Sequence, residues 1–298
     1  RGETLGIVGE SGCGKSITVM SLMGLLPSTA KVTGSIRFDG TELVGRDEKD
    51  MCQIRGNRIG MIFQEPMTAL NPVHTIARQV GEPLRLHRGL SKAEARKDVL
   101  ALLDRVGIPD AASRLDAYPH QFSGGQRQRI GIAMALACGP DLLIADEPTT
   151  ALDVTIQKQI LELIQGLVAE RGMALILISH DLGVISQTVS KMLVMYGGSV
   201  VESGPTDAVF AKRAHPYTQG LFAARPAIGA PRGLRLATIR GSVPELVDLP
   251  PGCPFAGRCA YTVDACHTTR PSATVLPPDH AVRCMRLEEI AAAQAVAP

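Results

Sequence analysis

The stretch that decides the fold runs Gly9-Glu10-Ser11-Gly12-Cys13-Gly14-Lys15-Ser16. It fits the pattern G-x-x-x-x-G-K-[ST], in which backbone N–H groups of a glycine-rich loop surround an anion. Apolar Leu5–Val8 before it predicts a short buried strand, and the segment from Ile17 to Leu26 after it predicts a helix. A loop between a strand and a helix N-terminus is where this pattern binds phosphate. The sequence therefore predicts a nucleoside triphosphate site.

Two side chains of this loop have the chemistry that nucleotide phosphates require. The ammonium of Lys15 can reach the β- and γ-phosphates, and the hydroxyl of Ser16 can ligate Mg²⁺. The remaining candidate phosphate-binding residues are Gly9, Ser11, Gly12, Cys13, Gly14 and Ile17.

Composition disfavours several classes of protein. The 298 residues carry a formal net charge of +2 without a block of like charges, so neither a nucleic-acid partner nor an anionic membrane surface is indicated. Trp is absent, and six Phe and four Tyr leave few platforms for stacking bases. No apolar run reaches the roughly 18 residues of a membrane-spanning helix.

Apolar segments of strand length alternate with helical patterns, which predicts a parallel α/β sheet. Their near-continuous apolarity is typical of strands covered on both faces. Besides Leu5–Val8, these segments are Met61–Phe63, Leu142–Ala145, Ala174–Ile178 and Met192–Met195. The segment Ile36–Thr41 predicts a hairpin, and with it a small antiparallel flank.

Residues 72–137 interrupt this alternation with an all-helical pattern. Ser91-Lys92-Ala93-Glu94 predicts a capping box at the start of one helix. A further helix is predicted over Val154–Glu170, with Asp153 as its N-cap and Gly172 just beyond its end.

The character of the chain changes at about residue 220. Pro and Gly become frequent there and helical or strand periodicity fades. We therefore predict a nucleotide-binding domain over 1–220, with a helical subdomain at 72–137, and an appended loop-rich extension over 221–298. The tail Leu287–Pro298 is predicted as a helix.

Two acidic residues end one of the predicted strands. Asp146 and Glu147 directly follow Leu142–Ala145. An Asp at the carboxyl end of a parallel strand beside a phosphate loop can hold Mg²⁺, and the adjacent Glu can polarise an attacking water. Taken alone, the pair could equally be a solvated strand end.

A second phosphate-binding helix start is predicted at Phe122-Ser123-Gly124-Gly125-Gln126, before a helix over Arg127–Ala137. One nucleotide does not need two such helix starts in one chain, but two copies arranged head to tail would use both. His180, after the strand Ala174–Ile178, could bond the γ-phosphate, although a lone His at a strand end is more often structural.

These motifs, in this order, resemble the nucleotide-binding subunits of ATP-binding cassette (ABC) transporters. The resemblance covers residues 1 to about 215 and rests on one set of motifs: Gly9–Ser16, Gln64, Ser123–Gln126, Leu142–Glu147, Ala151-Leu152-Asp153 and His180. It implies a P-loop NTPase fold with a RecA-like parallel sheet, an antiparallel flank and a helical signature subdomain.

The resemblance also implies roles for single residues. Lys15 and the loop amides would hold the phosphates of ATP. Glu147 would be the catalytic base and His180 the switch residue. The signature residues would close on the ATP of a partner subunit, and Asp153 would lie in the loop that joins the two sites. The implied Mg²⁺ ligands are Ser16, Gln64 and Asp146, and the implied signature residues are Ser123, Gly124, Gly125 and Gln126.

Further segments resemble the dipeptide/oligopeptide importer branch of that family, and Ser21–Leu26 among them resembles its first type of ATPase subunit. They are Gln64–Pro72, Tyr118–Phe122, His215–Leu221 and Ser21–Leu26. The branch implies ATP hydrolysis coupled to peptide import across the inner membrane, from a peripheral position on its cytoplasmic face. It also implies as partners a second ATPase subunit, expected to be a paralogue, two transmembrane permease subunits and, indirectly, an external peptide-binding protein. No nucleic acid is expected.

Alternatives to this interpretation stay open. Closely related ATPases serve nickel complexes or glutathione. A DNA-repair ATPase with the same cassette is disfavoured, because no long coiled coil separates Gln64 from the signature. Family members also have some tens of residues before Arg1-Gly2-Glu3, including an aromatic residue that stacks on adenine. We therefore expect weaker nucleotide affinity for the chain as given, and a non-hydrolysing regulatory module is a second alternative.

Four thiols lie within the predicted extension, at Cys253, Cys259, Cys266 and Cys284. Disulfides are disfavoured in a cytoplasmic protein, and the short C-x₂₋₄-C pairs of zinc sites are absent. A [4Fe–4S] cluster tolerates irregular spacing. The surrounding Pro250–Phe255 and Arg258-Cys259 resemble importer ATPases, some of which carry such a cluster. The expectation is an iron–sulfur cluster, with zinc or unliganded thiols as alternatives.

Overall fold

The computed structural model describes residues 1–65, 69–150, 152–225 and 238–296. The chain forms two compact units. The first unit comprises Arg1–Thr4 and Ser16–Ile178, and the second unit comprises Leu5–Lys15 and Ser179–Pro298. The strands are β1 (Thr4–Val8), β2 (Arg37–Phe38), β3 (Thr41–Glu42), β4 (Ile59–Ile62), β5 (Leu142–Asp146), β6 (Ala174–Ile178), β7 (Lys191–Tyr196), β8 (Ser199–Pro205), β9 (Thr274–Leu276) and β10 (His280–Val282).

Helices follow most of these strands. They are α1 (Lys15–Leu22), α2 (Glu48–Ile54), α3 (Ile76–Arg88), α4 (Lys92–Arg105), α5 (Ala111–Arg114), α6 (Gly124–Leu136), α7 (Val154–Arg171), α8 (Leu182–Thr188), α9 (Thr206–Lys212), α10 (Pro216–Ala223), α11 (Asp264–Thr268) and α12 (Leu287–Val296). Short 3₁₀ turns lie at Pro119–Gln121 and Ala256–Arg258.

A parallel sheet of β4, β5 and β6 forms the centre of the first unit. Ile59 pairs with Leu142, and Leu142 pairs with Ala174. All residues of β4 and β5 are buried, which explains why their sequences are apolar without alternation as far as Asp146, the last residue of β5. The predicted parallel α/β fold is confirmed. The predicted hairpin is formed by β2 and β3, which pair as a separate two-stranded sheet.

The helical segment predicted at 72–137 is present as α3 to α6. Ser91 and Glu94 form the predicted capping box at the start of α4. The predicted start of α6 at Arg127 is wrong, because α6 begins at Gly124. Its N-cap Ser123 forms a capping box with Gln126, and this offsets the low helix propensity of two glycines in the first turn.

A mixed sheet forms the centre of the second unit. There β1 pairs in parallel with β7, and β7, β8, β10 and β9 continue in antiparallel order. The extension therefore contributes two strands to the sheet that holds β1, whereas the sequence predicted little regular structure for it. The boundary at residue 220 stays a prediction. The predicted C-terminal helix is α12, and Ala297 and Pro298 lie outside the described residues.

The helix after the glycine-rich loop is shorter than its sequence suggests. It ends at Leu22 rather than at Leu26. Gly24 has a φ of +63°, a left-handed conformation that ends the helix. Within the ranges given above, no helix is both long and apolar enough to cross a membrane.

Candidate nucleotide site

The glycine-rich loop adopts a backbone that only glycines allow. Gly9, Gly12 and Gly14 have φ values of +154°, +82° and +97°. A Cβ on Gly9 would lie 2.3 Å from the carbonyl oxygen of Met195. The spacing of glycines in the sequence therefore has a steric cause, since side chains at these positions would distort the loop.

Lys15 lies inside this loop and is 7% exposed. Its Nζ donates to the carbonyl oxygen of Gly9 at 2.8 Å and to that of Glu10 at 3.2 Å. Helix α1 begins at Lys15, so this residue stands at the positive end of the helix dipole. A buried ammonium beside a helix N-terminus is suited to a polyanion such as a triphosphate.

Three hydrogen-bonded contacts within the second unit hold the loop in place. The N–H of Gly198 donates to the carbonyl oxygen of Cys13 at 3.2 Å. The N–H of Glu10 donates to the hydroxyl of Tyr217 at 2.8 Å, and the Glu10 carboxylate accepts from Arg258 at 2.8 Å. Sequence reasoning assigned neither Tyr217 nor Arg258 to the loop. Both residues lie within segments that resemble the importer ATPases, Tyr217 in His215–Leu221 and Arg258 in Arg258-Cys259.

The acidic pair predicted at the end of a strand belongs to the first unit. Asp146 is the last residue of β5 and is 4% exposed. Glu147 follows with a φ of +46°, and its N–H donates to the carbonyl oxygen of Ile178 at 3.0 Å. A left-handed conformation costs a non-glycine residue of order 1–3 kcal/mol and is concentrated at functional sites.

Two side chains hold the carboxylate of Glu147. The Nε2 of Gln64 donates to its Oε2 at 3.3 Å, and the Oγ1 of Thr150 donates to the same oxygen at 3.0 Å. The structure thus brings together two of the predicted site residues, Gln64 and Glu147. Thr150 was missed, although its place three residues after the acidic residue could have suggested it.

The implied signature residues form the N-cap and first turn of α6, in which Ser123 is exposed and Gly124, Gly125 and Gln126 are half-buried. The Oγ of Ser123 accepts from the N–H of Gln126 at 3.3 Å, and the Gln126 side chain accepts from the N–H of Ser123 at 3.1 Å. A Cβ on Gly125 would lie 2.9 Å from Ile156 of α7, so a side chain there would push against that helix. Asp153 is the N-cap of α7, as predicted.

The remaining predicted residues are placed as follows. Ile17 is 54% exposed in the first turn of α1, and His180 is exposed just before α8. Gly9 to Lys15 and His180 belong to the second unit, whereas the other candidate residues of the nucleotide site belong to the first. Ala151 and residues 66–68 of the quoted motifs lie outside the described residues.

The four cysteines of the extension line one cavity, of about 20 Å³. Such a volume holds little more than a water molecule. They are Cys253, Cys259, Cys266 and Cys284. In the described part of the chain, no group of three or more His, Cys, Asp or Glu is arranged to hold a metal ion. The structure therefore does not support the predicted [4Fe–4S] cluster, nor the zinc alternative.

Burial also affects the protonation of these cysteines. It raises the pKa of Cys253 and of Cys259, and it raises the pKa of Cys284 to about 11. These thiols are therefore neutral near pH 7 and poorly nucleophilic.

Comparison with known proteins identifies the family. Residues 1–150 match the family model described as ABC transporter, and residues 201–266 match that described as oligopeptide/dipeptide transporter, C-terminal region. The dipeptide transport ATP-binding protein DppD of Bacillus subtilis is 52% identical over 95% of this chain and 85% of its own length. The oligopeptide transport ATP-binding protein AppD of the same species is 49% identical over 99% and 90%.

A solved structure agrees with this result. The ATP-binding cassette MJ0796, described as a dimer in a post-hydrolysis state bound to ADP and Pi, is 31% identical to this chain. It aligns with a TM-score of 0.61 over 69% of this chain and 86% of its own. The chain therefore belongs to the ABC transporter family, in the branch whose ATP-binding proteins carry the oligopeptide/dipeptide transporter C-terminal region.

Proposed function

We propose that the chain is the ATP-hydrolysing subunit of a transporter that imports peptides. The observation that carries the proposal is the strained Glu147, whose carboxylate Gln64 and Thr150 hold at the end of β5. Relatives named for dipeptide and oligopeptide transport support peptides as the cargo.

Phosphate binding is assigned to the glycine-rich loop. The ammonium of Lys15 would bind phosphate oxygens in place of the loop carbonyls that it now contacts. The backbone N–H groups of the loop and of the first turn of α1 would complete the phosphate site. The residues proposed to contribute them are Gly9, Ser11, Gly12, Cys13, Gly14, Ser16 and Ile17.

The residues also suit Mg²⁺. This ion binds through one or two protein carboxylates, phosphate oxygens and water, so a site with a single acidic ligand is sufficient. The buried carboxylate of Asp146 fits that requirement, with the Ser16 hydroxyl and the Gln64 amide oxygen as the further ligands. When bound, Mg²⁺ would neutralise the charge of the phosphates.

The proposed chemistry is in-line attack of water on the γ-phosphorus of ATP. The Glu147 carboxylate would accept a proton from that water while Gln64 keeps the carboxylate oriented. His180 is proposed to bond the γ-phosphate and to report whether it is present.

The exposed turn at Ser123 supports a head-to-tail dimer. Ser123 is exposed at the N-terminus of α6, where a second subunit could present ATP to the positive end of the helix dipole. MJ0796, which is dimeric, provides the precedent within the family. We propose as partners a second ATPase subunit, expected to be a paralogue, and two membrane permeases that the chain joins at the cytoplasmic face of the inner membrane. An external peptide-binding protein would act indirectly.

Phosphate release from ATP by the purified chain, measured with Mg²⁺, tests the proposal. We expect Glu147→Gln to reduce turnover by about a hundredfold or more while nucleotide binding persists, and Lys15→Ala to abolish binding. Glu162→Gln, an exposed substitution on α7, is the matched control and should turn over normally. Normal turnover by Glu147→Gln would refute its role as the base.

A further inference from the structure

An ion pair joins the phosphate-binding loop to the C-terminal extension. Arg258 Nη1 lies 2.8 Å from Glu10 Oε2, and Nη2 lies 3.2 Å from Oε1. The side chain of Arg258 is only 6% exposed and that of Glu10 is 31% exposed. Two parallel bonds between a guanidinium and a carboxylate fix their relative orientation, and at this depth solvent screens the pair weakly.

The extension holds Arg258 in place through groups other than Glu10. Arg258 Nε donates to the carbonyl oxygen of Arg240 at 2.7 Å, and Nη2 donates to that of Ile239 at 3.2 Å. Its Nη1 also donates to the hydroxyl of Tyr196 at 3.2 Å, and its guanidinium lies 5.6 Å from the centre of that ring. These contacts therefore hold the Arg258 guanidinium in place independently of its bonds to Glu10.

An aromatic cluster fixes Glu10 from the other side. The Tyr217 hydroxyl accepts the N–H of Glu10, and the Tyr217 ring lies 4.6 Å from that of Tyr196 and 5.4 Å from that of Phe255. All three rings are buried, and burial raises the pKa of Tyr217, so its hydroxyl stays neutral. The backbone of Glu10 is thus tied down, and its carboxylate faces Arg258.

Glu10 lies in the loop that is proposed to bind phosphate, so the charge of its carboxylate affects ligand binding. Its carbonyl oxygen accepts from Lys15 Nζ, the group assigned to the phosphates. An unpaired carboxylate in the same loop would repel a polyanion through the weakly screening protein.

We propose that Arg258 is a positioning residue that sets the nucleotide affinity of the loop by neutralising Glu10. The proposal rests on the proposed nucleotide site. It gives the C-terminal extension a direct effect on ATP binding.

Titration of the purified full chain with the fluorescent analogue TNP-ATP and Mg²⁺ tests this. We expect Arg258→Gln to raise Kd about tenfold, because it leaves the Glu10 carboxylate unpaired. The double variant Glu10→Gln/Arg258→Gln should return to within about threefold of wild type, since the repulsive charge is gone. Arg270→Gln, an exposed arginine on the same extension, should leave Kd unchanged.

Glu10→Gln alone separates neutralisation from simple tethering, and it remains usable if Arg258→Gln does not fold. Neutralisation predicts that this variant binds TNP-ATP at least as tightly as wild type. A tether predicts that breaking the pair from either side weakens binding equally. Three results would each overturn the proposal. They are an unchanged Kd for Arg258→Gln, equal weakening of binding in Arg258→Gln and in the double variant Glu10→Gln/Arg258→Gln, and weaker binding by Glu10→Gln.

Lys15→Ala distinguishes the failure of this inference from that of the proposed function. If Lys15→Ala leaves TNP-ATP binding intact, the nucleotide site itself is wrong. If Lys15→Ala abolishes binding while Arg258→Gln has no effect, only the role of Arg258 is wrong.

Discussion

Gln64 Nε2 donates to Glu147 Oε2 at 3.3 Å, and the register of the sheet places the two residues opposite each other. Ile62 of β4 pairs with Ala145 of β5, and each functional residue lies two positions beyond its member of this pair. In a parallel pair, residues at the same offset leave the sheet side by side. The contact therefore follows from strand pairing, and it links the loop after β4 to the candidate base.

We expect Gln64→Ala to lower kcat for ATP by about tenfold to a hundredfold, because Glu147 would lose a group that orients it. Gln53→Ala is the matched control, since Gln53 is an exposed glutamine on α2 in the same unit. Steady-state phosphate release for both variants makes the comparison. Equal activity in the two variants would contradict an orienting role for Gln64.

Local sequence signals predicted the central features well. The glycine spacing of the loop, the fully apolar strands and the capping box at Ser91 are each visible within a few residues of the sequence, although the contact that requires Gly9 is with the distant Met195. The two helix ends that were predicted at the wrong residue involve competition between local signals. Gly24 ends α1 early, and Ser123 starts α6 early despite two glycines.

Long-range contacts could not be predicted in this way. Glu10 and Arg258 are 248 positions apart, and no local pattern indicates that they meet. The pairing of β10 with β8 is similar, because the three-residue segment His280–Val282 has no strand signal until a partner is present. The cysteine cluster illustrates the reverse case, since the closeness of four cysteines in the sequence and a family resemblance suggested a metal site that the side-chain arrangement does not support.

The two serine capping boxes offer a matched test of the signature turn. Ser123 caps α6 with Gln126, and Ser91 caps α4 with Glu94. We expect either serine-to-alanine change to cost about 1 kcal/mol in the free energy of unfolding, because each removes one cap. Only Ser123→Ala should also reduce ATP-dependent dimerisation, measured by light scattering with the Glu147→Gln background. If both variants lose dimerisation equally, the loss is caused by lower stability and not by a contact of Ser123 with the second subunit.

The seven cysteines should differ in reactivity with DTNB. Cys52 is the exposed one, and the others are buried or half-buried. We expect one fast-reacting thiol in the native protein at pH 8, removed by Cys52→Ser, and seven thiols after denaturation. Slow reaction of Cys284 follows from its pKa of about 11. Four thiols missing after mild denaturation, together with iron and absorbance near 400 nm, would contradict the finding that the side-chain arrangement does not support a metal site.

His215 is expected to make the protein sensitive to acid. Burial lowers its pKa from 6.5 to about 4, with Glu202 opposing the shift. Its Nδ1 accepts the N–H of Tyr217 at 3.1 Å as the N-cap of α10, which requires the unprotonated ring. Because the folded pKa is below the unfolded one, the stabilisation is present above pH 6.5 and is lost as the pH falls towards 4. Its full size is about 3 kcal/mol.

Thermal melts between pH 7 and pH 4.5 test this expectation. His215→Asn keeps an N-cap acceptor but cannot titrate, so its Tm should fall less with acid than that of the wild type. His267→Asn removes an exposed histidine from α11 and should follow the wild-type curve. The carboxylate of Glu202 stays in both variants, where it accepts from the N–H groups of Ala214 and residue 215. Parallel curves for all three proteins would show that the acid sensitivity arises from other groups.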